Sequence, residues 1–270
     1  MTSTIRNKTL PISFALLACL GLAATAQAQS FDAYRNYGAK VNEDGGTLGL
    51  AALSVSKYRG AQDGKLWVVP ILDYRWANGF FAGVRNGLGY DFSRSEETQY
   101  GLRLTADLGR KESDDNHLRG MGDIKIRPEI GGFYNLALSP SLQLTSSLRY
   151  GAGEQQKGLL LDLGVSYHMA LTRQWVLGMG AGLSVANSDY MQEFFGVSTA
   201  QSLTSAYAAT QAKGGVRDVR ANVLLNYYLS PTSGISFGLS AGQLMGDAKN
   251  SPLTQKSSTM SGLLAYSQQF

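Results

Sequence analysis

With 24 Lys and Arg against 20 Asp and Glu over 270 residues, the chain carries a formal charge of +4, too small an excess to argue for a nucleic-acid surface. Mean hydropathy is −0.12, and after the first 28 residues no run of about eighteen apolar residues occurs, which excludes a membrane-crossing helix. A chain with 32 Gly, 14 Tyr and 10 Phe at average polarity is then either a soluble all-β protein or a barrel whose strands hide their apolar side by alternation.

The N-terminus reads as an export leader. Arg6 and Lys8 form a positive segment, Leu10 to Ala24 is mostly apolar, and Ala26-Gln27-Ala28 is a small-x-small cleavage site. Residues 1–28 are therefore expected to be a signal peptide, with Gln29 as the first mature residue. A lipoprotein signal ending at Cys19 is the alternative, disfavoured by the bulk of Leu17. Cleavage after Ala28 removes the single cysteine and with it disulfide, thiolate-metal and cysteine-nucleophile chemistry.

Residues 29–46 are expected to be an N-terminal periplasmic segment or a first strand, and 47–270 the main domain. Period-two alternation runs through that domain. Tyr100, Leu102, Leu104, Ala106 and Leu108 share one face, with Arg103, Thr105 and Asp107 on the other. Ile124, Ile126, Pro128 and Ile130 oppose Lys125, Arg127 and Glu129. The same code repeats in 159–170, 175–186, 218–227 and 235–242. Segments of ten or more residues exceed the strands of a soluble sandwich and suit a tilted strand crossing a bilayer, so an antiparallel transmembrane β-barrel of the outer-membrane type is predicted.

The connections support this. Those at 139–141, 171–174 and 230–233 are short, whereas 110–122, 187–215 and 246–257 are long and polar, as periplasmic turns and extracellular loops are. Tyr134, Tyr167, Trp175, Tyr227 and Phe237 gather beside the short turns as an interfacial girdle. About eleven strands are visible from Thr47, and an even number closes a barrel. Either Asn86-Gly87 splits Phe80 to Phe92 into a hairpin or Phe31 to Val41 is a first strand, and both give about twelve.

Candidate lumen-lining residues are the charges of the polar face: Arg85, Arg103, Asp107, Lys125, Arg127, Glu129, Arg149 and Arg220. Leu264, Tyr266 and Phe270 alternate up to a terminal Phe, the pattern of the C-terminal signal read by the barrel-assembly machinery. His168 shares a face with Ser166 and Asp162, but i and i+2 side chains on a strand stand about 6–7 Å apart, too far for direct proton transfer. Glu112, Asp114 and Asp115 lack the spacing and turn glycine of a calcium loop. Gly178, Gly180 and Gly182 open no strand-to-helix turn and are no dinucleotide fingerprint. No cofactor, metal or catalytic residue is therefore expected. The aromatic stretch 189–198 is expected to cap the barrel, because an exposed aromatic patch would be adhesive.

Four motifs carry a resemblance: Asp-Tyr-Met-Gln-Glu-Phe-Phe-Gly-Val-Ser at 189–198, Leu-Arg-Gly-Met-Gly-Asp at 118–123, Val-Pro-Ile-Leu-Asp-Tyr-Arg at 69–75 and Met-Gly-Asp-Ala-Lys-Asn-Ser-Pro-Leu at 245–253. In this order they resemble the MipA/OmpV family of MltA-interacting proteins, from about Thr47 to Phe270. The resemblance implies an outer-membrane location and a scaffold holding a lytic murein transglycosylase and a bifunctional penicillin-binding protein. It brings no catalytic residues. Docking by such a scaffold would fall to the N-terminal segment or to the short turns together. The alternative is a small pore for ions or solutes, antibiotics included, whose Arg-rich lumen would favour anions.

Overall fold

The computed structural model describes residues 43–270. The expected leader and the possible strand at Phe31–Val41 lie outside them. Twelve antiparallel strands follow: β1 (Gly45–Ser56), β2 (Gly64–Arg75), β3 (Phe80–Gly83), β4 (Gly87–Asp91), β5 (Thr98–Asp107), β6 (Arg127–Ala137), β7 (Leu142–Ala152), β8 (Gly158–Ala170), β9 (Trp175–Ala186), β10 (Gly215–Tyr228), β11 (Ser233–Leu244) and β12 (Ser258–Gln269). Each pairs with its neighbour in sequence, and β12 returns to β1 to close the barrel. Closure leaves no sheet edge to solvent or lipid along that seam, where Leu50 stands opposite Tyr266. Gly46 and Phe270 exchange backbone hydrogen bonds of 2.9 and 3.1 Å at its end.

The strand count resolves at Asn86-Gly87. The segment Phe80–Phe92 is a hairpin, with Phe80 opposite Tyr90 and Gly83 opposite Gly87. Gly87 has φ of +74°, and a Cβ there would lie 2.2 Å from the Leu104 carbonyl oxygen, so glycine is required. Because β3 and β4 are only 4 and 5 residues long, this hairpin turns at mid-height. β2 pairs with β3 only over Asp73–Arg75. Above that level, the connection after β5 reaches back to β2, where Lys65 Nζ lies 3.7 Å from Asp114 Oδ1.

The alternation sorts side chains as a bilayer requires. Leu66, Val68, Leu102, Leu104, Ile130, Leu239 and Met260 point outward and are exposed, while Arg103, Thr105, Glu129, Asn135, Arg149 and Asp162 point inward and are buried. Apolar residues outside and charges inside invert the order of a soluble protein, and only lipid makes that arrangement favourable. Tyr134, Tyr167 and Phe237 face outward near the short-turn end, and Trp175 packs on Tyr227 with ring centroids 4.6 Å apart. Tyr74, Trp76, Phe80, Tyr90, Phe92 and Tyr100 extend this girdle along β2–β5. Leu264, Tyr266 and Phe270 are exposed on one face of the closing strand and its end.

Two expectations shift in detail. Ile124 does not join Ile126 and Ile130 on the lipid face: β6 starts only at Arg127, and Ile124 forms an isolated bridge with Arg110 and is buried under the loops. β10 carries a bulge between Val216 and Asp218. The extra residue turns both Arg217 and Asp218 inward, which simple alternation forbids.

Candidate functional site: the lumen and its cap

Three long connections close the outer mouth. The largest contains α1 (Ser188–Phe195) and α2 (Thr199–Thr204), and the last contains α3 (Gly246–Asn250). α1 starts where Asn187 accepts a hydrogen bond from Tyr190 N at 3.0 Å, with Asp189 in the first turn favoured by the helix dipole. Tyr190, Met191, Phe194 and Phe195 fall on one face at helical spacing, and all four are buried. Burying each such side chain is worth about 1.5–3 kcal/mol. The aromatic stretch 189–198 is thus a cap core.

Contacts of α1 come from all round the mouth. Arg59, on the β1–β2 connection, lies over the Phe194 ring at 4.6 Å and pairs with Asp107 of β5 at 3.2 Å. Arg127 of β6 pairs with Glu193 at 2.8 Å and donates to the Gly153 carbonyl. Arg217 of β10 donates to Tyr190 Oη at 2.8 Å. Ser251, after α3, donates to the Phe195 carbonyl at 2.6 Å, and Arg110 donates to that of Phe194 at 3.2 Å. A helix tied to elements of opposite walls cannot swing aside without breaking most of these bonds together.

Below the cap, a chain of charges lines the wall from β6 to β10. Arg149 bridges Glu129 Oε2 at 3.1 Å and Asp162 Oδ2 at 2.8 Å. Ser184 donates to Asp162 Oδ1 at 2.5 Å and accepts from Arg220 at 2.7 Å and Arg217 at 3.1 Å. Asp218 binds both Arg217 and Arg220, at 2.5 and 3.0 Å. Among the described residues this chain sets three guanidinium groups against three carboxylates, and desolvated charges need such pairing. Among the described residues, two buried arginines have no carboxylate within ion-pair distance. Arg103 donates to Ser147 Oγ at 2.5 Å, and Arg110 has only the Phe194 carbonyl, burial pulling its pKa down to about 10.

Of the eight candidate lumen residues, Arg103, Asp107, Glu129, Arg149 and Arg220 are inside as alternation implies. Arg127 is at the mouth, and Arg85 sits in the β3–β4 turn with Nε 2.8 Å from Asp73 Oδ2. Lys125 is exposed on the connection before β6 and joins none of the lumen ion pairs. Asp162, Arg217, Asp218, Arg59 and Ser184 belong to the lumen and were not among the eight. Asp162 and Ser184 share the polar faces of their strands and were readable there. Arg217 is revealed only by the bulge, and Arg59 only by the fold of its loop.

The other polar groups build structure. Glu112 accepts from Gly120 N and Gly122 N, both at 2.9 Å, and Asp115 accepts from His117 N at 3.0 Å, so these carboxylates shape a loop. No group of three metal-ligating side chains occurs among the described residues. Ser166 Oγ has no hydrogen-bond partner, so Ser166 and His168 form no dyad.

At the opposite rim the turns after β2 and β4 enclose a hollow of about 400 Å³. Arg75, ion-paired with Asp91, lies at its base, and Trp76, Tyr90, Phe92 and Arg94 are among its walls.

The barrel is similar to solved outer-membrane channels. The KdgM porin matches with a TM-score of 0.44 at 10% identity, over 83% of this chain and 99% of the porin. The CymD monoaromatic hydrocarbon channel matches with 0.43 at 12%, over 92% and 94%, and the outer membrane channel DcaP of Acinetobacter baumannii with 0.40 at 8%, over 84% and 96%. No curated protein matches the sequence. The family described as MltA-interacting protein MipA matches residues 48–270, nearly the whole of the barrel. This chain belongs to that family.

Proposed function

We propose that this protein is an outer-membrane barrel closed at its outer mouth, which acts from its periplasmic rim as a scaffold for murein-synthesising and murein-hydrolysing enzymes. The observation that carries this reading is α1, buried across the mouth and tied to both walls. A barrel sealed there is suited to holding partners rather than to steady conduction. The rim hollow supports it further, because aromatic and Arg side chains around a concavity are the residues that anchor protein interfaces. The partners are a lytic murein transglycosylase and a bifunctional penicillin-binding protein, with assembly directed by Leu264, Tyr266 and Phe270.

The test is photo-crosslinking in intact cells from a probe at Arg94, compared with a probe at Leu203 on the outer loops. Recovery of a murein transglycosylase from Arg94 alone is expected. Recovery of only assembly factors and neighbouring barrels would end the scaffold reading.

A second reading is favoured by the unbalanced arginines, Arg103 and Arg110. It is a gated channel that passes anionic solutes when the cap moves. Planar-bilayer recording separates the two: the scaffold shows no steady single-channel steps, and the channel does.

A further inference from the structure

Behind the short β3–β4 hairpin, on the lumen side of the lower wall, lies a cavity of about 90 Å³. Its polar lining is Thr47, Asp73, Arg75, Arg85, Asn86 and Arg103. Arg75 is paired with Asp91, and Arg85 with Asp73. Arg103 is only 3% exposed, and beyond its bond to Ser147 its Nε and Nη1 are buried with no partner. Arg75 and Arg85 each have a carboxylate, whereas among the described residues Arg103 has none, which leaves its positive charge uncompensated. Phe81 and Phe133, with ring centroids 6.0 Å apart, wall the space on an apolar side and weaken the screening of that charge.

A second mismatch lies beside it. Asp73 Oδ1 and Asn86 Oδ1 are also buried without a donor. Buried donors and acceptors left unmade are costly, and here both kinds line one small space. Its volume equals roughly three waters at 30 Å³ each. Water alone meets the hydrogen bonds but leaves the charge. A monoanion that keeps an O–H meets both, with oxygens accepting from Arg103 and the hydroxyl donating to Asp73 or Asn86.

We infer that this cavity is a binding site for a small monoanionic oxyanion that retains a hydroxyl, of the dihydrogen-phosphate class, held by Arg103. A guanidinium suits this role because its planar fork matches two oxygens of one oxyanion. The site does not involve the cap and shares only Arg75 with the rim hollow, so its failure and that of the scaffold reading are separable.

Calorimetric titration of the purified full-length barrel with inorganic phosphate, in low salt at mildly acid pH, tests it. One saturable site is expected in the wild type, at least tenfold weaker in Arg103→Gln and weakened in Arg103→Lys. Arg220→Gln, which disturbs only the balanced chain of charges, should retain it. Heat-modifiable migration in gels reports whether each variant folds. Should Arg103→Gln fail to fold, arsenate, which like phosphate is a hydroxyl-bearing monoanion at mildly acid pH, soaked into wild-type crystals is expected to give an anomalous peak within hydrogen-bonding distance of Arg103. Absence of saturable binding, binding unchanged by loss of Arg103, or a peak elsewhere would overturn the assignment.

Discussion

Arg217 Nη1 donates to Tyr190 Oη at 2.8 Å, joining the buried charge network of the wall to the helix that covers it. Tyr190 is completely buried, and burial pushes its phenol pKa up, so the group stays neutral and accepts the bond. Tyr190→Phe keeps the ring and removes the acceptor. A hydrogen bond to a charged group is worth about 1.5–3 kcal/mol, and the cap should loosen by that order. Amide exchange across Ser188–Phe195 is expected to accelerate while that of β11 does not, and equal protection in both proteins would show that the bond holds nothing.

Leu239 and Leu203 are both exposed, at 63% and 84%, but in different solvents. Leu239 is mid-strand in β11 and faces hydrocarbon, whereas Leu203 lies in α2 on the outer loops. Leu239→Arg should cost about 2–4 kcal/mol, and Leu203→Arg close to nothing. Urea unfolding in lipid vesicles measures both, and similar midpoints would refute the placement of the lipid-facing surface.

Burial raises the pKa of Glu193 above its ordinary 4.5, and Arg127 offsets this only in part. With a raised folded pKa, the cap binds a proton more readily than the unfolded chain does. The contribution is therefore fully present below the ordinary value and declines as pH rises through the folded one. Asp115 has the opposite sign: the His117 N–H holds its pKa low, so its contribution is present at neutral pH and is lost as pH falls through that depressed value. Glu193→Gln should flatten the pH dependence of cap protection as pH rises above the ordinary value of 4.5. Limited proteolysis across that range reads it, and an unchanged slope would assign the dependence to another group.

Phe270 covers Gly46 at the seam, and a Cβ built on Gly46 would fall 2.4 Å from the Phe270 ring. Gly46→Val should therefore slow barrel closure, and adding Phe270→Ala should recover part of the loss by removing the clash. Pulse-chase conversion to the heat-modifiable form follows this. A double variant as slow as the product of the two single effects would show that the two residues act separately.

The inside-outside order was legible residue by residue. Successive strand side chains point to opposite faces, so Leu104 and Thr105 could be assigned from their neighbours alone, and with them Arg103, Asp107, Glu129, Arg149 and Arg220. Strand length and the rhythm of short and long connections chose a barrel over a sandwich. Asn86-Gly87 was visible as a turn, but its choice over another strand needed the backbone geometry of Gly87.

The partners were not legible. Alternation states which way a side chain points but not what meets it, and the lumen contacts join residues far apart in sequence, such as Arg59 with Asp107 and Ser251 with Phe195. A one-residue bulge brought Arg217 inside against the period, and an irregular loop left Lys125 outside the network it was expected to join. The sequence by itself therefore determined the barrel and its two faces, because those follow from a local period of two. The aromatics of 189–198 already pointed to a cap, but only the tertiary structure decided which wall residues tie α1 across the mouth and that Arg103 has no carboxylate among the described residues, because closing the barrel and folding its loops sets which charges meet.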